Sequence, residues 1–176
     1  MKYLTFIIML LAVNVQAQTP VKEIPADYGY VVKIGQQIPE FSITTTDGKS
    51  IKMSDLKGKI VMLQFTASWC SVCRKEMPHI ESDIWEKYKS NPNIALYGVD
   101  LDEPKDIVDK FAKEIKVTYP LTLDPKGGIF YQFAEKGAGV THNVIVDKTG
   151  KIVFMTRLYK DEEFQEMKKV IAGLLK

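Results

Sequence analysis

The stretch IVMLQFTASWCSVCRKEMP, residues 60–78, decides how the rest of the chain is read. Ile60 to Phe65 is an apolar run of strand length with little alternation, which suits a central strand covered on both faces. Beyond the cysteines, Met77, Ile80, Ile84 and Tyr88 recur at spacings of three, four and four. That stripe predicts a helix from about Ser71 to Lys89 facing a sheet, with its first half kinked by Pro78. Between strand and helix lies a short break, and next to it sit both cysteines of the chain, Cys70 and Cys73.

Working outward, Phe41 to Thr45 and Ser50 to Met53 flank Thr46-Asp47-Gly48-Lys49, a strand-turn-strand signal with Asp-Gly supplying the turn. Ile94 to Asp100 reads as the next strand. Pro104 then sits where a helix can begin at no cost, followed by Ile107, Phe111 and Ile115 on one face. A short strand near Leu121 to Leu123, a brief helix around Ile129 to Ala134 and a hairpin of Asn143 to Val146 with Ile152 to Thr156 come next. Asp161 is the expected cap of a last helix carrying Phe164, Met167, Ile171 and Leu174. Strands alternating with helices and ending in a hairpin plus helix describe an α/β fold with a mixed sheet.

The N-terminus runs from a basic start at Lys2 through an apolar stretch, Tyr3 to Val15, to Val15-Gln16-Ala17, the small-residue spacing of a signal-peptidase site. Residues 1–17 are therefore expected to be a signal peptide and 18–29 a flexible, poorly ordered lead. A domain should occupy 30–176. The apolar run falls short of the ~20 residues that a spanning helix needs and is interrupted by Asn14, so no membrane insertion is expected after cleavage. An uncleaved signal would leave a membrane anchor instead. The chain is 45% hydrophobic and 26% charged, an ordinary globular balance, and a net charge of +2 without a dense basic block argues against a nucleic-acid partner.

Cys70 falls where the central strand ends and the long helix begins, so unpaired N–H groups and the positive end of the helix dipole point at its sulfur. The thiolate is the reactive form of cysteine, and this position lowers the thiol pKa, while Cys73, one turn inside, should be shielded. One sulfur can attack a disulfide and the other can resolve the mixed disulfide.

These residues carry a resemblance. Asp55-Leu56-Lys57-Gly58-Lys59 before the central strand, Trp69-Cys70-Ser71-Val72-Cys73, Arg74-Lys75-Glu76-Met77-Pro78 and the hairpin from Asp147 to Ile152 resemble the TlpA/ResA-type thioredoxin-fold thiol-disulfide oxidoreductases of bacterial envelopes. The resemblance runs from about Gly35 to the C-terminus. It implies a thioredoxin-like fold with an N-terminal β-hairpin and an inserted helix and strand within Leu101 to Lys136. It also implies Cys70 as nucleophile, Cys73 as resolving thiol, and no bound cofactor. Disulfide-bearing exported proteins would be the clients, and a membrane dithiol carrier the electron donor in the periplasm. Trp69, Val140 and Thr141 would then border the client, with Thr141 and Glu76 as tuning residues.

Three departures from the family pattern shape the expectations. Thr66 stands where the family usually has tryptophan, which predicts a more polar surface around Cys70. Ser71-Val72 has neither proline nor charge, so no redox poise carries over. Val140-Thr141-His142-Asn143 replaces a Val-Pro-Thr motif whose cis-proline faces the cysteines. A cis bond before threonine would cost about 2.5–4 kcal/mol, so the loop is either trans and reshaped or strained. A threonine there brings a hydroxyl, and the expectation is that it donates to the Cys70 thiolate.

Competing readings rest on the same residues. A Cys70–Cys73 crosslink closes so short a loop that it restricts the unfolded chain little. Cys70, Cys73 and His142 could converge as thiolate and imidazole ligands for copper or zinc, or the chain could be a client-binding module with weak redox activity. A peroxidase reading lacks its Pro-x-x-x-Thr/Ser-x-x-Cys arrangement. His79 is expected on a solvated helix face. Gln64 occupies the strand position where thioredoxins proper bury an acid, so no titrating group is expected there. Glu76 is read as either a proton donor to Cys73 or a surface ion-pair residue.

Overall fold

A computed structural model describes residues 23–176. The expected signal peptide and the first part of the lead lie outside the described residues. Gly58, at φ 85° in a turn that only glycine enters freely, delivers the chain into β3, Ile60–Thr66, whose seven residues are all buried. Apolar side chains on both faces demand cover on both sides and neighbours on both edges. β4, Ile94–Leu101, pairs parallel on one edge and β6, His142–Val146, antiparallel on the other. Adding β1 (Ser42–Thr45), β2 (Ser50–Lys52), β5 (Leu121–Asp124) and β7 (Ile152–Arg157) gives one mixed seven-stranded sheet in the order β2-β1-β5-β4-β3-β6-β7.

The β1–β2 hairpin docks antiparallel on β5, and β5 itself belongs to the helix-strand segment formed by α3, Lys105–Ile115, and β5. The inserted unit thus falls inside the span the sequence suggested. Thr66 faces α1, Ser71–Ile80, while its neighbour Phe65 packs against Phe130 and Phe133 on the other side, as the two-residue strand period requires.

The helix that follows the cysteines is one long path with a local change of pitch. α1 covers Ser71–Ile80, a π-helical turn follows over Glu81–Trp85, and α2 adds Glu86–Tyr88. Pro78 has no N–H to give its own turn, and the π turn that widens just beyond it is the distortion expected of the proline. α4, Asp161–Leu174, packs beside this helix through Lys168, 2.7 Å from Asp83 Oδ2.

Two expectations change and one is refined. The lead is packed from Ala26 on: Tyr28 is buried in a 3₁₀ turn over Ala26–Tyr28, and its carbonyl accepts from His142 Nε2 at 2.8 Å, so tertiary contacts hold a polar, proline-bearing segment. Asp161 is the first helical residue of α4 rather than its cap, since Lys160 holds the cap position with extended backbone. His79 is exposed as expected, yet its ring stacks on Tyr159 with centroids 5.1 Å apart. Among the described residues no helix is long and apolar enough to cross a membrane.

Candidate active site

The register of β3 against β6 builds the site. Phe65 lies opposite His142, so Thr141, one residue earlier, arrives beside the end of β3 where the chain turns into α1. Cys70 is the residue capping α1, and the N–H of Cys73 donates to its sulfur at 3.1 Å. The two cysteines are joined as a disulfide, with Cys70 8% exposed and Cys73 fully buried. Thr141 Oγ1 lies 3.1 Å from Cys70 Sγ and 3.3 Å from Cys73 Sγ. Neither sulfur of a disulfide carries hydrogen, so the threonine hydroxyl is the donor in this state. The described peptide bonds include no cis bond, so Thr141 follows a trans peptide.

Trp69, at 64% exposure, stands out from the surface next to Cys70. Val140, expected beside it, is instead buried, at 2% exposure. Thr66 does not make the surface more polar, because it is fully buried with its hydroxyl 3.1 Å from Met77 Sδ.

Glu76 is a buried acid rather than a surface ion-pair residue. It is 2% exposed and sits one turn beyond Cys73 on the inward face of α1, and Asn143 Nδ2 donates to its Oε1 at 2.7 Å. Its Oε2 has no hydrogen-bond partner. Burial raises its pKa to about 8, against the smaller lowering effect of the Asn143 amide. Asn143 also donates to Thr156 Oγ1 at 3.0 Å, and the Tyr30 hydroxyl is shared between the carbonyls of Asn143 and Thr156. Gln64 carries no acid, as read, but it is fully buried and accepts from the Tyr119 hydroxyl at 3.1 Å. A titrating group nevertheless sits behind the cysteines, supplied by the helix instead of the strand. Asn143, Thr156 and Tyr30 were missed by the sequence reading. Glu76 had a signal available: Cys73, Glu76, Met77 and Ile80 form one inward stripe.

His142 does not join the cysteines. It points to the opposite face of the sheet, fully buried between Tyr30 and Phe130, and burial lowers its pKa. The Cys70, Cys73 and His142 ligand set is therefore not assembled, and among the described residues no group of three His, Cys, Asp or Glu is placed to hold a metal ion.

Comparison with known proteins agrees with this geometry. Residues 34–155 match the model of the AhpC/TSA family. The thiol-disulfide oxidoreductase ResA of Bacillus cereus is 33% identical over 122 residues, covering 69% of this chain and 68% of that protein. Among solved structures, a candidate protein disulfide isomerase from Bacteroides thetaiotaomicron is 56% identical with a TM-score of 0.82, covering 84% of this chain and 93% of that one. A candidate thiol:disulfide interchange protein, DsbE, from Chlorobium tepidum is 25% identical with a TM-score of 0.70, covering 82% and 99%. With its Cys-x-x-Cys pair at the mouth of α1 on a thioredoxin-like sheet, the chain belongs to the AhpC/TSA family and is a thiol-disulfide oxidoreductase of the ResA-like kind.

Proposed function

We propose that the chain works as a reductant of disulfides in exported proteins, in the periplasm, with Cys70 as nucleophile and Cys73 as resolving thiol. The observation that carries this reading is the convergence on Cys70 Sγ of the Cys73 N–H and the Thr141 hydroxyl, two donors that favour a thiolate over a thiol. The Cys70 thiolate attacks one sulfur of the client disulfide, forming a mixed disulfide and releasing the client's first thiolate. Cys73 then attacks Cys70 Sγ, the second client thiolate leaves, and the Cys70–Cys73 disulfide remains. Cys73 must lose its proton for this step, and Glu76, buried one turn away with its pKa raised to about 8, is the acceptor in this reading through its ionised fraction. Two electrons and two protons from a membrane dithiol donor restore the dithiol.

Export rests on Lys2, the apolar run and Val15-Gln16-Ala17, with Gln18 as the new N-terminus. Trp69 offers the client an exposed ring beside Cys70. The test is insulin reduction driven by a dithiol donor. Cys73→Ser should accumulate a mixed disulfide through Cys70, and Cys70→Ser should trap none. Trapping through either cysteine equally would remove the assigned order. A measured reduction potential for the pair separates reductant from oxidant, since about 30 mV corresponds to ~1.4 kcal/mol.

A further inference from the structure

Ser68, two residues before Cys70, is held at each of its backbone and side-chain polar groups. Its N–H donates to Glu103 Oε2 at 2.5 Å, its hydroxyl donates to Glu103 Oε1 at 2.6 Å, and its carbonyl accepts from Arg74 Nε at 2.7 Å. Glu103 in turn lies against Asp100, at the C-terminal end of β4. Asp100 is fully buried, and neither of its carboxyl oxygens meets a donor. Two carboxylates face to face have no hydrogen between them, whereas a proton on Asp100 supplies one.

The groups around Asp100 favour that proton. Burial is the largest influence and the Glu103 charge the next, followed by the hydrogen bond to Glu103 and the charge of Asp124 at the end of β5; together they push the Asp100 pKa up to about 8. Asp124 is itself buried and accepts from the N–H groups of Ile129 and Phe130, both at 2.8 Å, with Asp102 beside it. On the α1 side the cation is Arg74, turned toward the Ser68 carbonyl and Glu114.

We propose that Asp100 and Glu103 share a proton, and that the protonated pair fixes Glu103 as the clamp on Ser68, making Glu103 a positioning residue for the Trp69–Cys70 segment that meets a client. Asp100 is fixed on its strand, while Glu103 follows the strand and is only half-buried. Loss of the shared proton therefore expels Glu103 and frees Ser68. The proposal rests on the reading of Trp69 as a client contact, and its test separates the two.

The pair is tested on the oxidised full chain, where neither cysteine titrates, in a Trp85→Phe background that leaves Trp69 as the only tryptophan. Trp69 fluorescence followed between about pH 6 and 9 should show a transition on the alkaline side of neutrality. It should vanish in Asp100→Asn, whose amide donates at every pH, and persist in Glu76→Gln. A transition that survives Asp100→Asn, or that disappears in Glu76→Gln, overturns the pair. Should Asp100→Asn not fold, Glu103→Gln at its half-exposed position removes the like charge and must abolish the transition as well. In the reduced protein, Glu103→Ala should raise KM for insulin several-fold while leaving the rate with a small aromatic disulfide unchanged; equal loss on both substrates overturns the positioning role. If Trp69→Ala leaves KM for insulin unchanged, the client reading fails, and the fluorescence transition still decides the carboxyl pair.

Discussion

Thr141 replaces a side chain that can only shape the loop with one that can donate to sulfur. Its hydroxyl lies between the two sulfurs, closer to Cys70, so on reduction it is already placed to bond the thiolate. A hydrogen bond to a charged group contributes ~1.5–3 kcal/mol at most, so Thr141→Val should move the alkylation rate of Cys70 to higher pH by about one unit. Iodoacetamide rate against pH, with thiolate absorbance as a second probe, reads this directly; an unmoved curve in a folded variant would mean that the hydroxyl bonds elsewhere once the disulfide opens. In the proposed resolving step Glu76 serves the other sulfur. Glu76→Gln keeps the shape and the Asn143 contact region but removes the proton acceptor, so the mixed disulfide should resolve more slowly, by roughly a hundredfold. Single-turnover kinetics with a trapped client separate that step from the first attack, which should be little changed.

At the level of elements, the π turn after Pro78 has a second consequence. Its wider pitch presents Glu81 and Trp85 together to the loop between α3 and β5: Thr118 N–H donates to Glu81 Oε2 at 2.8 Å, Thr118 Oγ1 donates to Glu81 Oε1 at 2.5 Å, and Trp85 Nε1 donates to Thr118 Oγ1 at 2.9 Å. The redox helix and the inserted helix-strand unit are thereby tied at a point far from the cysteines. These bonds face solvent, so Glu81→Ala should cost only about 1 kcal/mol in urea denaturation and leave insulin reduction unchanged. A loss of turnover without a loss of stability would show instead that this tie transmits to the site.

For the whole molecule, two buried acids contribute a pH dependence of stability on the alkaline side of their ordinary pKa values. Glu76 and Asp100 both have pKa values raised to about 8 in the fold, mainly by burial. Between their unfolded values near 4 and about 8, the unfolded chain gives up these protons while the folded chain keeps them. Stability therefore falls as pH rises through that window, each group contributing a slope of up to about 1.4 kcal/mol per pH unit. Urea midpoints of the oxidised protein should drop from pH 5 to pH 8, and Glu76→Gln should reduce the drop. A flat profile in the wild type would mean that both carboxyls ionise near their ordinary values.

The strand, the helix stripe, the cysteine spacing and the segments Asp55 to Lys59 and Asp147 to Ile152 are local patterns. Periodicity and turn chemistry act over a few residues, so they were enough to read an α/β fold with a mixed sheet, the strand-turn-strand hairpin and the place of the cysteine pair; the thioredoxin-like fold and the inserted unit came from the family resemblance that these segments carry. What sequence could not supply was direction. Glu76 could be read either as a proton-transfer residue or as a surface ion-pair residue until α1 was laid on the sheet and turned its Cys73 side inward. His142 seemed available to the cysteines until the register with Phe65 placed it on the opposite face. Tyr28 looked like part of a loose lead, yet its carbonyl receives the His142 N–H from a strand more than a hundred residues away. Asp100 and Glu103 gave no signal, since their meeting depends on where a strand ends beneath a loop from another part of the chain. Local sequence determines which elements form; the side of the sheet on which each polar group is buried, and therefore its charge state, is decided only by tertiary packing, through burial and the partners it brings within hydrogen-bond distance.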